Sequence, residues 1–367
     1  MLVGFDYQIF SQEEFGGISR YYCALASQLS LLPEIKARIV APLHINKYLK
    51  EEVSDLAVGR YIRRLPRTGR IIRALSSALF QPTMGKLRPD IIHETYYSEK
   101  PSYRGKAPRV LTVYDMIHER CPDSFARGDQ LARLKGCAVN RADHIFCISE
   151  NTRRDLLDIH DIPEDRVTVT YLASNALPLS GLTATELVGS APFILHVGGR
   201  HGYKNFLGLA RAYAASPWLK NNFRIVCFGG GAMSSEERHV LAGIGLSEAQ
   251  VIHLSGGDDR LAALYRGASV FVYPSIYEGF GIPPLEAMSL DCPVVCSRTT
   301  SIPEVVGEAA EYFDPGDVES IMHAVEKVLQ SPSRRSELIA LGCLRRELFS
   351  WKRCARETLD VYKGLAG

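Results

Sequence analysis

Short apolar runs alternate along this chain with longer stretches in which apolar residues recur at helical spacing. Residues 35–40, 91–93, 109–114, 144–148 and 166–170 have the length and composition of strands, and residues 19–30 and 130–141 read as helices between them. Such alternation predicts right-handed βαβ units around a parallel sheet. The pattern breaks over residues 173–192, which are rich in Ser, Ala, Leu, Pro, Gly and Thr without a clear period and read as a linker. A second series follows, with strands at 193–197, 223–228, 251–254, 270–273 and 293–296 and helices at 206–215, 259–266, 284–290 and 318–329. The expected fold class is α/β. Two doubly wound, Rossmann-like domains, residues 1–180 and 181–349, would face a central cleft that holds a ligand at the carboxyl ends of the strands.

Charge changes this picture only locally. The formal net charge is +2, so no bulk case for nucleic acid exists. Residues 56–89 are the exception: they carry Arg60, Arg63, Arg64, Arg67, Arg70, Arg73, Lys86 and Arg88 and no Asp or Glu. Tyr61, Ile62, Ile71, Ile72, Leu75, Leu79 and Phe80 interleave with them. A basic amphipathic stretch over residues 60–88 suits an anionic membrane surface, and a solvated loop and helix is the alternative. The nine Cys are scattered, form no C-x-x-C and lie mostly in apolar runs, which suits buried thiols in a reducing compartment better than zinc. Residues 1–6 lack the basic-then-apolar pattern of a signal peptide, and no apolar stretch approaches the length of a membrane span. The expected location is the cytoplasm, or at most the inner membrane surface.

Three segments carry chemistry. In Gly198-Gly199-Arg200-His201-Gly202-Tyr203-Lys204, two cations stand four residues apart where a strand gives way to a helix, a pattern suited to an anion. In the stretch from Tyr273 to Glu286, the chain leaves a strand, turns through Gly279 and Gly281, and enters a helix at Pro283-Pro284; Glu278 lies in the loop and Glu286 in the expected first turn. Amides around Gly279, Phe280 and Gly281 suit sugar hydroxyls or an anion, and the carboxylates accept from hydroxyls. Glu286 alone also reads as a favourable helix-start charge. Gly16-Gly17-Ile18-Ser19-Arg20-Tyr21 follows the first strand and reads as an anion cradle or a plain tight turn. No dinucleotide fingerprint is present. Asp258-Asp259 precedes a helical pattern and suits a cap, so no metal site is expected.

Together these segments resemble family 4 retaining glycosyltransferases of the GT-B fold, over nearly the whole chain. The opening Phe5-Asp6-Tyr7-Gln8-Ile9-Phe10 and Val113-Tyr114-Asp115-Met116-Ile117-His118-Glu119 look most like bacterial enzymes that assemble O-antigen or exopolysaccharide, many of them mannosyltransferases. The resemblance implies that Arg200 and Lys204 hold a donor diphosphate and that Glu286 binds the ribose. It implies that Glu278 with the amides of Phe280 and Gly281 holds the transferred sugar, and that Gly16 and Gly17 approach the diphosphate. The base would lie near Leu254, Ser255 and Gly256, and a last helix, about 350–367, would pack back on the first domain. Many relatives carry His-Asp where this chain has Tyr114-Asp115; His118 could fill that histidine's role, with Asp115 its rival. The implied activity is metal-independent transfer of a hexose, mannose or a related deoxysugar, from a GDP-linked donor to a lipid-linked glycan. A UDP-sugar donor is the runner-up. A glycosidase using Glu278 and Glu286, a nucleotide-sugar epimerase and a non-enzymatic scaffold are the other readings.

Overall fold

The computed structural model describes residues 1–64, 68–175, 177–178 and 180–366; Arg67 of the basic segment lies outside them. The chain divides into two compact units. The first comprises Met1–Glu119, Ala126–Leu172 and Ser350–Gly367, and the second Arg120–Phe125 and Ala173–Phe349. The division therefore falls at Leu172, not at residue 180, and residues 120–125 belong with the second unit.

Unit 1 is built on seven parallel strands: β1 Leu2–Phe5, β2 Lys36–His44, β3 Ala57–Tyr61, β4 Ile91–Glu94, β5 Arg109–Val113, β6 His144–Cys147 and β7 Val167–Val169. Their order across the sheet is β3-β2-β1-β4-β5-β6-β7. Unit 2 has six: β8 Phe193–Val197, β9 Arg224–Phe228, β10 Val251–Leu254, β11 Val270–Tyr273, β12 Val294–Ser297 and β13 Ala310–Phe313, in the order β10-β9-β8-β11-β12-β13. Every strand pairing is parallel. β4, β6, β8, β11 and β12 are buried throughout, which is why apolar residues dominate them, although His93, Glu94, His144 and His196 lie within β4, β6 and β8. Helices cover both faces, as parallel crossovers require. In unit 2, Leu209 and Tyr213 of helix Phe206–Ala215 and Ile321, Val325 and Val328 of helix Val318–Gln330 pack with Ile225, Val272 and Val295 of the sheet.

In both sheets the strand order reverses once, between β1 and β4 in unit 1 and between β8 and β11 in unit 2. Chains leaving two such neighbours diverge to opposite faces of the sheet, and the crevice outside their carboxyl ends is where open α/β sheets take ligands.

Several sequence expectations need correction. β3 and β13 were not anticipated. The stretch read as a linker contains a short helix, Ala184–Val188, closed by a capping box in which Thr183 and Glu186 satisfy each other's backbone amides. Asp258 and Asp259 lie in the first turn of helix Asp258–Gly267 rather than capping it; Gly257 is the cap residue. In the basic segment, helix Gly69–Leu87 turns Ile72, Ser76, Phe80 and Met84 into the core, so Ile72 and Phe80 do not belong to a surface face. Ile71, Leu75 and Leu79 remain exposed in a row, since residues four apart share one side of a helix. No described helix is long and apolar enough to cross a membrane.

Candidate functional site

The β8/β11 switch point of unit 2 gathers the two loops on which the sequence placed its cations and carboxylates. After β8 the chain passes Gly198 to Arg200, makes a 3-10 turn at Gly202–Lys204, and only then enters helix Phe206–Ala215 through the left-handed Asn205. The two cations thus precede that helix and do not open it. After β11 the chain runs from Pro274 to Gly281 and enters helix Ile282–Ser289. Gly281, at φ 109°, is in a region that a side chain rarely tolerates, which is the local reason for glycine there. Glu286 falls beyond the first turn of this helix, not within it.

Hydrogen bonds join the loops. Lys204 Nζ donates to Glu278 Oε1 at 2.7 Å, and the amide of Ile276 donates to the carbonyl of Tyr203 at 2.7 Å. The Lys204 ammonium also lies 5.3 Å and 5.7 Å from the ring centres of Tyr203 and Tyr273, a cation–π cradle. The loop after β12 supports Glu278 from behind. The Glu278 amide donates to Thr300 Oγ1 at 3.0 Å, and the Ser301 hydroxyl reaches the carbonyls of Glu278 and Phe280 at 2.9 and 3.1 Å. Thr300 is at φ 50°, a backbone state that costs a β-branched residue about 1–3 kcal/mol and is held only by its surroundings. No sequence signal marked Thr300 or Ser301.

Arg200 behaves differently from Lys204. It is 4% exposed, and its Nε donates to Glu237 Oε1 at 2.7 Å. Nη1 donates to the Gly229 carbonyl at 2.9 Å and Nη2 to the Gly231 carbonyl at 3.0 Å. Burial pushes the Glu237 carboxyl up, but the Arg200 guanidinium and the Ser234 amide outweigh it and bring the carboxyl down to about 2. The guanidinium therefore ties the loops after β8 and β9 to helix Ser235–Gly243. Gly229 carries the tie onward, its amide donating to the carbonyl of Leu254 at 3.0 Å. Leu254 and Ser255 thus stand at the same rim of the sheet as Arg200.

Glu286 is 8% exposed and accepts from the Tyr265 hydroxyl at 3.2 Å. Burial, and then the nearby Glu286 charge, hold that phenol well above its ordinary range, so Tyr265 remains a donor. Both carboxylates are hydrogen-bond acceptors with specific donors, one an ammonium and the other a phenol. This is poor support for the glycosidase reading, which needs one carboxyl to serve as an acid.

In unit 1, Asp115 and His118 follow β5. The Asp115 carboxylate accepts from the Ile117 amide at 3.1 Å and so closes the start of helix Ile117–Arg120. His118 Nε2 lies 3.9 Å from Asp129 Oδ2. Beneath them is Lys135, 1% exposed, whose ammonium donates to the Asp115 carbonyl at 2.7 Å and to Glu119 Oε2 at 2.9 Å. The sequence reading missed Lys135, although its spacing from Ala138 and Val139 places it on their buried helix face.

Gly16 and Gly17 do start a helix, Gly17–Ser30, but the Ser19 amide of its first turn already meets a carboxylate. Glu13 Oε1 accepts from the Ser19 amide at 3.1 Å, and a Cβ on Gly16 would lie 2.2 Å from the Glu13 carboxyl. The expected anion cradle is occupied by the chain's own anion.

A cavity of about 650 Å³ is lined by Thr183, Pro192, Phe193, Arg266 and Ser269 among others. It lies at the starts of β8 and β11, the end of the sheet opposite the switch-point loops. Among the described residues no group of three or more His, Cys, Asp or Glu is arranged to hold a metal ion.

Comparison with known proteins follows the same division of the chain. Residues 15–173 match the family described as Glycosyltransferase Family 4, and residues 184–342 match that described as Glycosyl transferases group 1. The chain is 32% identical over 266 residues to O-antigen chain mannosyltransferase B of Escherichia coli, covering 69% of this chain and 70% of that one. It is 32% identical over 237 residues to the serotype-specific mannosyltransferase WbdA of Escherichia coli, covering 61% of this chain and only 29% of that longer protein. Sucrose-phosphate synthase from Thermosynechococcus elongatus shares the fold, with a TM-score of 0.77 at 18% identity over 100% of this chain and 99% of that chain.

Proposed function

The chain belongs to the family 4 glycosyltransferases, and from that premise we propose that it transfers mannose, or a related deoxysugar, from a GDP-linked donor to a lipid-linked glycan in the assembly of a bacterial surface polysaccharide. The mannosyl and O-antigen parts of this reading are supported by the names of its relatives. The observation that carries the donor site is the Lys204–Glu278 pair bridging the two loops of the β8/β11 switch point.

In this reading the donor diphosphate takes the Lys204 ammonium, with Arg200 fixing the neighbouring loops and adding its charge from beneath. Glu278 and the amides of Phe280 and Gly281 hold the hydroxyls of the transferred sugar. Glu286 accepts from the ribose and the base lies by Leu254 and Ser255, while His118, Asp115, Gly16 and Gly17 keep the roles that the family resemblance implies. The anomeric carbon–phosphate oxygen bond breaks as the acceptor oxygen bonds to the same face, giving retention. The departing phosphate oxygen takes the acceptor proton, so no separate base is needed. The cations stabilise charge that builds on the leaving group, usually the largest contribution to such catalysis, and transfer needs no metal. The exposed row Ile71, Leu75 and Leu79, flanked by exposed Arg70 and Arg73, rests on an anionic membrane surface where a lipid-linked acceptor is found.

Turnover and nucleotide binding test this together. Lys204→Ala is expected to lower kcat by roughly 100-fold or more, as loss of a charge-stabilising donor does, with activity of the unchanged protein persisting in a chelator. Calorimetry should show GDP binding more tightly than UDP. Near-normal turnover in the variant would sink the site, magnesium-rescued loss in chelator would sink metal independence, and a UDP preference would replace the donor.

A further inference from the structure

Unit 1 has a switch point of its own, between β1 and β4, and a cavity of about 520 Å³ opens there. That volume is within the range of small-molecule sites. Its walls are Tyr7 and Gln8, just past β1; Ser98, Lys100, Ser102 and Arg104, past β4; and Ser77, Ala78 and Gln81 of helix Gly69–Leu87. None of the functions assigned above uses it.

The floor beneath this cavity is built from buried charge. Asp6, fully buried, accepts from the Gln8 amide at 3.1 Å, the Gln8 side chain at 2.7 Å and the Thr95 amide at 3.0 Å. Glu94, also fully buried, accepts from the Ser102 amide at 2.9 Å and pairs with Arg141 at 2.6 Å. Arg141 donates in turn to the carbonyl of Ser98 and, at 3.0 Å, to its hydroxyl. The Gln81 side chain closes the other wall, donating to the Ser102 carbonyl at 2.6 Å and accepting from the Arg104 amide at 3.2 Å. Buried ion pairs add little net stability, because desolvation offsets their attraction. What these ones achieve is a fixed course for residues 98–104.

That rigid loop presents two exposed cations, Lys100 and Arg104, with no carboxylate against either side chain among the described residues. Hydroxyls and side-chain amides on one side suit the hydroxyls of a sugar. Two unpaired cations on a fixed loop suit an anion.

We propose that this pocket binds a saccharide bearing an anionic group, a phosphate or a carboxylate, with Lys100 and Arg104 on the anion and Tyr7, Gln8 and Ser98 around the ring hydroxyls. In naming that saccharide as part of the acceptor, the proposal rests on the glycosyltransferase reading above. The pocket's existence as a binding site does not.

The test uses the full chain and the double variant Lys100→Ala/Arg104→Ala, whose side chains make no described contact with the fold. Mannose 6-phosphate, glucuronate, methyl α-mannoside and inorganic phosphate are titrated by calorimetry, with GDP as the donor control. The two charged sugars are expected to bind the unchanged protein and to lose roughly tenfold or more in the variant, the usual effect of deleting charge-assisted hydrogen bonds. The neutral mannoside should bind weakly and equally to both proteins, and GDP should bind equally to both. Whichever charged sugar binds more tightly identifies the anion as phosphate or carboxylate. Equal binding of charged and neutral sugars, or no loss in the variant, overturns the proposal; inorganic phosphate binding as well as mannose 6-phosphate overturns its saccharide part. GDP binding without sugar binding removes the pocket and keeps the donor site, and the converse removes the donor site and keeps the pocket.

Discussion

Arg200 and Lys204 stand four residues apart in one loop, yet their surroundings give them different work. The spacing made them legible as a pair of cations, but it could not separate the one locked to Glu237 from the one that meets Glu278. That difference depends on where the loop after β9 and helix Ser235–Gly243 lie, which no local pattern near residue 200 records. Glu237 was in principle readable, because Ser234 and Glu237 form a capping box. Likewise Lys135 could be found from its helix face, whereas Thr300 and Ser301 act through a loop after a different strand. Arg200 uses its planar fork on three partners, a geometry that an ammonium cannot reproduce. Arg200→Lys is therefore expected to destabilise unit 2 by about 1–3 kcal/mol, the cost of leaving buried acceptors unmet. The contribution of the pair is also pH-dependent with a definite sign. Glu237 titrates at about 2 in the fold against an ordinary 4.5, so its stabilisation is complete above about pH 4.5 and is lost as pH falls toward 2. Urea unfolding at pH 7 and pH 3 checks both points; an unchanged midpoint for Arg200→Lys at pH 7, or a deficit undiminished at pH 3, would contradict them.

The elements that the sequence revealed and those that it hid differ in a physical way. The central strands are buried on both faces and show as apolar runs. β3 and β13 each close one end of a sheet, with a single neighbour, and their burial is partial. Gly59 and Arg60 in β3 and Glu311 in β13 break any run of apolar residues, whereas β7 and β10, at the other ends of the same sheets, keep enough apolar residues to be read, so composition and not edge position alone hid the two strands. Helix Trp351–Ala366 was anticipated from family resemblance, and its face explains its place in unit 1. Cys354, Ala355, Thr358, Leu359 and Tyr362 recur at helical spacing and are all buried. At its far end Tyr362 meets His93 Nδ1 at 2.6 Å, while His93 Nε2 meets Thr112 Oγ1 at 2.8 Å, so the last helix is tied through one imidazole to β4 and β5. Tyr362→Phe keeps the ring against Phe146, whose centre is 5.9 Å away, and removes only the hydroxyl. Leaving a fully buried nitrogen without that partner is expected to cost about 1–3 kcal/mol. The free energy of urea unfolding checks this, and a change within about 0.5 kcal/mol, the range of ordinary surface substitutions, would show that the hydroxyl does not hold the helix.

At the scale of the whole molecule, two units with separate cores need not lose structure together, and their buried histidines give them different responses to acid. Burial brings His93 down to about 3 and His44 to about 4, both in unit 1, and also lowers His144 and His160 there. Unit 2 has His196, which burial brings down to about 4. A histidine lowered in this way stays neutral in the fold while the unfolded chain protonates near 6.5. Its contribution to stability is therefore intact above pH 6.5 and declines as pH falls toward its folded value. A histidine held far below 6.5, as His93 is, changes stability by up to about 1.4 kcal/mol per pH unit within that window. Glu13 and Glu94, whose carboxyls burial holds above their ordinary range, act in the opposite sense in unit 1, but they are two against four. Unit 1 should accordingly be the more acid-sensitive between pH 7 and pH 5. The two tryptophans of the chain make the comparison direct, since Trp351 belongs to unit 1 and Trp218 to unit 2. In single-tryptophan variants made with Trp218→Phe or Trp351→Phe, the urea midpoint reported by Trp351 is expected to fall further between pH 7 and pH 5 than that reported by Trp218. Equal shifts, or a larger one at Trp218, would mean that the buried imidazoles of unit 1 do not set its acid response.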